Sequence, residues 1–246
     1  MSLDKQYSKE VRQNLRYFPV WEPGQTVLPG AIGELHGGVF HPQTSIEKVF
    51  PDLKIEIAEG NDPADRHRGF QSRGCVQVRG EGGGRLFDPT TAQNVRLSGN
   101  IEFSREGAVV LDSAELASRR IANLHEVRDH LSKHREQWTP GYVLVTQVED
   151  AGRFGVVMSN SENTTISLTG GSEAIAKCSL VDAGITVNHI RDGAYSMFGK
   201  GALLLRLYGF VWYRRRPVLL SSREPIPEES EAEFCEIHAN DEQFDE

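Results

Sequence analysis

Apolar residues in this chain recur mostly at every second position, the period of a strand with one buried face. Residues 53–58 (LKIEIA) show it plainly. Over 94–103, Val95, Leu97, Gly99, Ile101 and Phe103 share one face, and Asn94, Arg96, Ser98, Asn100 and Glu102 the other. Further strands are predicted at 75–79, 142–148, 153–159, 164–168, 174–182 and 184–189, with a short one at 39–40. Residues 202–213 (ALLLRLYGFVWY) are apolar on both faces except at Arg206, which predicts a central strand covered on both sides. Between 17 and 33, Pro19, Pro23, Pro29 and the glycines forbid a helix and predict extended pieces joined by turns.

Helical spacing stands out in two places. Residues 45–50 allow one turn, stopped by Pro51. A longer helical region is predicted from Asp112, with Glu115 completing a capping box. It carries Leu116, Ala117, Ile121, Leu124, Val127 and Leu131 and ends at Trp138-Thr139-Pro140-Gly141. Strands, a helical region and then a long meander predict the α+β class: a large twisted, mainly antiparallel sheet with a few helices. Strands and helices do not alternate one for one, which argues against a doubly wound nucleotide-binding sheet.

Composition adds an ordinary globular core, with 38% hydrophobic residues in 246. No stretch reaches the ~18 apolar residues of a membrane-crossing helix, and no apolar segment follows the polar first ten residues. The expectation is a soluble protein, cytoplasmic at rest. Cys75, Cys178 and Cys235 are far apart and form no C-x-x-C pair, so a disulfide framework is not expected. Charge is unevenly placed. The net charge is −8, yet residues 223–246 alone hold ten acids against one base, Arg223, which leaves 1–222 at +1. We therefore divide the chain into a body, 1–222, and an acidic C-terminal tail, 223–246.

Candidate chemistry is sparse. His130 and His134 lie one helical turn apart, with His125 nearby, but His125 and His130 miss the four-residue spacing of the zinc motif, so no metal is expected. No serine lies in G-x-S-x-G, the glycines at 80–84 precede no Lys-Ser/Thr pair, and the chain is not expected to be an enzyme or to need a cofactor. Arg214, Arg215 and Arg216, beside Trp212 and Tyr213, form the best basic cluster. A body of net +1 lacks the broad field of a nucleic-acid binder, so these arginines are candidates for contact with lipid phosphates or the tail. The tail carries three large apolar residues, Phe234, Ile237 and Phe244. Phe234 and Ile237, three apart, predict one helical turn of anchors that docks while the carboxylates cover basic residues of the body.

Two segments carry a family resemblance. GYVLVTQV at 141–148, after the helical region, and GAYSMFGKGALLLRLYGFVWY at 193–213, before a short tail, resemble the pore-forming domain of bacterial gasdermins. The resemblance implies storage as a soluble monomer and cutting by a caspase-like or trypsin-like protease. It then implies oligomerisation with further copies and insertion of β-hairpins into the lipid of the inner (plasma) membrane, causing cell death in anti-phage defence. Cleavage candidates are Arg223 and Arg216. Segments 94–103 and 153–168 are the hairpin candidates, with Val95, Leu97, Ile101, Phe103, Val156, Ile166 and Leu168 as membrane-facing residues. Family members often carry an acylated cysteine near the N-terminus; the first here is Cys75. The alternative reading is a soluble α+β binding module whose acidic tail recruits a basic protein partner.

Overall fold

Three long strands form the spine of the molecule. The computed structural model describes residues 2–60, 67–80, 99–168, 187–191, 194–213 and 231–239. In chain order these hold α1 (Leu3–Leu15), β1 (Phe18–Pro19), β2 (Ala31–His36), β3 (Val39–Ser45), α2 (Ile46–Val49), β4 (Ile57–Glu59), β5 (Arg68–Gln71), β6 (Val76–Gly80) and β7 (Gly99–Phe103). Then follow β8 (Val109–Ile121), α3 (Leu124–Lys133), β9 (Tyr142–Ser159), β10 (Thr164–Leu168), β11 (Val187–Arg191), β12 (Ala194–Tyr213) and β13 (Glu231–Glu236). The fold is α+β, mainly antiparallel sheet with few helices, and every registered strand pair among the described residues is antiparallel.

The large sheet is built on β8–β9–β12. β9 pairs with β8 along one side and β12 along the other, while β4 and β5 edge β8 and β1, β11 and β13 edge β12. Successive residues point to opposite faces, so Leu144 packs with Ile32, Val127 and Leu131 on the α3 face, while Val143 and Val145 pack with Phe18, Leu205 and Leu207 on the other. At the far end of the spine, Tyr7 and Val11 of α1 cover Leu111, Phe154, Val156 and Met197. Residues 202–210 are thus covered on both faces, as their two-sided apolar pattern predicts.

A second, three-stranded sheet has the order β10-β7-β6. It brings together parts of the two segments singled out as hairpin candidates: Ile101 of β7 lies opposite Ile166 of β10, and Gly99 opposite Leu168. Ile101 and Phe103 are buried.

Five expectations about these elements are corrected. Residues 112–121 are strand, not helix; helical geometry begins only at Leu124. Tertiary pairing overrides the local signal there. Asp112 and Ser113 are buried opposite Gly155 and Phe154, and Glu115 takes φ +57 between the paired positions Ala114 and Leu116, with the β8–β9 register the same on either side. Residues 3–15, for which no element was predicted, form α1. In 53–58 the strand is displaced to Ile57–Glu59, since Leu53 leaves the alternation to bury itself beside Ile46 and Trp138. Strands 142–148 and 153–159 are one strand, and 39–40 extends to Ser45. The predicted strand at 174–182 lies outside the described residues.

Candidate regulatory interface

The acidic C-terminal segment docks on the edge of β12 through both backbone pairing and buried side chains. Residues 231–236 pair antiparallel with 208–213, with Phe234 opposite Phe210 and Glu231 opposite Tyr213. The predicted helical turn is corrected to a strand. The physical reason lies in the neighbouring edge: β12 offers a row of backbone groups beyond its pairing with β1, and a strand satisfies them where a helix cannot. Phe234 and Ile237 are both buried, and an odd spacing in extended chain sends them to opposite faces, Phe234 beside Trp138 and Ile237 into the cluster of Phe18 and Leu205.

Phe234, 1% exposed, enters an aromatic box. Its ring centroid lies 5.1 Å from Phe210, 5.6 Å from Trp138 and 6.0 Å from Tyr208, edge-on to the first two. Trp138 is held by its indole N–H, which donates to the carbonyl of Tyr142 at 3.2 Å. Behind the box lies an open groove of about 480 Å3 lined by Arg135, Trp138, Pro140, Tyr142 and Phe210. Ile237 packs on the other face with Phe18, Leu205 and Leu207. Gly209 makes room for it: a Cβ there would stand 3.0 Å from Ile237 Cδ1.

Polar contacts complete the grip. The Ile237 N–H donates to Leu207 O at 2.9 Å, and Arg12 Nη1 of α1 donates to Ala239 O at 3.1 Å. The Arg206 guanidinium pairs with Glu236, and Arg128 of α3 lies 3.5 Å from Glu233. Arg206 also faces the Tyr17 ring, which Arg68 approaches as well, their guanidinium carbons 4.6 and 4.7 Å from its centroid. Burial, followed by the Glu236 carboxylate, raises the Tyr208 hydroxyl above its ordinary value, so it stays protonated.

Other predicted residues fall elsewhere. Val156 lies in the main core between Leu111 and Met197, and only Ile101, Phe103, Ile166 and Leu168 belong to the small sheet. Val95, Leu97, Arg214, Arg215, Arg216, Arg223 and Phe244 lie outside the described residues. The His130 and His134 rings lie 4.5 Å apart, their planes tilted by 42°, and the His130 ring meets Phe50 edge-on at 5.4 Å. Among the described residues no cluster of three His, Cys, Asp or Glu could hold a metal, and no helix is long and apolar enough to cross a membrane. Sequence reasoning missed Arg12, whose role needs α1, and the box residues Trp138, Tyr208 and Phe210.

No protein-family model and no curated protein matches the chain. Among solved structures, the chain is similar to a bacterial gasdermin from Bradyrhizobium tropiciagri, at 13% identity over 85% of this chain and 88% of that one, with a TM-score of 0.37.

Proposed function

We propose that this chain is a pore-forming protein held at rest by its own C-terminal strand. The observation that carries the reading is the docking of 231–239 on β12: an acidic segment closes a sheet edge, and both of its apolar anchors are buried. In this reading a protease cuts between β12 and β13, at Arg216 or Arg223, and the body then assembles with further copies at a membrane. Strands insert because alternating residues meet lipid on one side and water on the other, and closure into a barrel pairs every edge. The pairing of β7 with β10 supports the reading in part, since it stores two alternating segments as ordinary sheet.

The test uses the whole chain with a site for a sequence-specific protease inserted within 214–230 and Phe234→Ala to let the cut tail leave. Dye release from anionic liposomes is expected after cutting and not from the uncut wild-type chain. Silence across several lipid mixtures, with the tail gone and the β-sheet spectrum intact, would overturn the proposal. The binding-module reading would then lead.

A further inference from the structure

The β12–β13 pairing runs over six registered positions, Tyr208–Tyr213 against Glu231–Glu236. Tyr213 lies directly opposite Glu231, a position that a two-residue turn could nearly connect, yet residues 214–230 intervene. Among the described residues, the segment is held by these six registered positions, by Phe234 in the aromatic box, and by Ile237 on the opposite face over Gly209. Glu233 and Glu236 meet Arg128 and Arg206, and Ala239 O accepts from Arg12. Main-chain pairing supplies affinity here while pockets on alternate faces supply specificity, the mode in which extended peptides add to sheet edges.

We infer that the edge of β12 over 208–213 is a peptide-binding site whose ligand is the 231–239 segment acting in trans, recognised as Glu-Phe-x-Glu-Ile-x-Ala in extended conformation. Cutting the chain within 214–230 therefore does not empty the site. The cut segment stays as a non-covalent strand, leaves by mass action on dilution, and exchanges with a free peptide of the same sequence. The inference deepens the reading of the tail as a restraint, but it concerns binding alone and is measured without a membrane.

The experiment takes the full-length wild-type chain with the inserted protease site, cuts it and passes it through gel filtration at micromolar concentration. The tail is expected to co-elute with the body, including in about 1 M salt, where pairing by exposed charge alone is screened. A fluorescent peptide of residues 228–240 should exchange into the cut protein. The same peptide with Phe234→Ala should need roughly a hundredfold higher concentration or more, as deletion of a buried aromatic anchor implies. Gly209→Val in the body, with its fold checked by circular dichroism, should weaken binding of the unaltered peptide. Immediate loss of the tail on cutting, or equal exchange by both peptides, would overturn the site. Leakage experiments that fail while exchange succeeds would leave the site standing and remove the pore reading.

Discussion

Phe234→Ala is the sharpest probe of the C-terminal strand. The ring is 1% exposed, and three aromatic rings lie within 6.0 Å of its centroid. Truncating a buried Phe costs about 3–5 kcal/mol, from lost transfer energy and the cavity left behind. Because Phe234 sits on a strand that, among the described residues, pairs only with β12, that loss falls on local opening of the 231–239 segment. At about 1.4 kcal/mol per tenfold, the open fraction rises roughly a hundredfold to several thousandfold. Amide hydrogen exchange reads this directly. The Ile237 N–H, bonded to Leu207 O, should exchange faster by that factor, while amides of β9 in the β8–β9 ladder keep their protection. Unchanged exchange at Ile237, or an equal rise throughout β9, would refute the claim that Phe234 anchors the tail separately from the core.

Two further predictions concern the scaffold. Gly33→Ala places a Cβ 2.0 Å from the backbone oxygen of His41 beside the β2–β3 bulge, so the strands must part; a loss of about 1–3 kcal/mol or more is expected in urea unfolding, and an unshifted midpoint would contradict it. Burial, then the neighbouring His134, lowers the His130 pKa, so the unfolded chain binds the proton more readily than the fold in the window just below 6.5. Stability should therefore rise with pH through that window, and His130→Leu should flatten the rise; identical urea-midpoint slopes for both proteins would dismiss the assignment.

Much of the sheet was legible in the sequence because its strands obey one local rule. Thr164–Leu168 matches its alternation residue for residue, and the two-sided apolar pattern of 202–213 announced the strand that lies between β9 and its several edge partners. The helix over 112–121 failed because a capping box is a local motif, whereas Asp112 answers to partners on β5 and β9, far away in sequence. α1 was legible in principle: Leu3, Tyr7, Val11 and Leu15 recur every fourth residue, but the surrounding polar residues masked the stripe. Phe234 and Ile237 were singled out from apolarity within an acidic run, and both are buried. Their conformation was not legible, because spacing by three fits one helical face as well as two strand faces, and only the neighbouring edge decides between them.

The seat of α1 has a consequence in time. Tyr7 and Val11 are made well before their partners Leu111, Phe154, Met197 and Leu204, the last of which follows about two hundred residues later. At roughly 5–20 residues per second, about ten to forty seconds pass before the last of those partners is synthesised. During that interval the apolar stripe of the first helix has no native seat, and contacts of such long range also slow the search once the chain is complete. Thus α1 is made long before its seat and is among the last elements to find its place, and growing chains present an unpaired amphipathic helix before the finished fold conceals it.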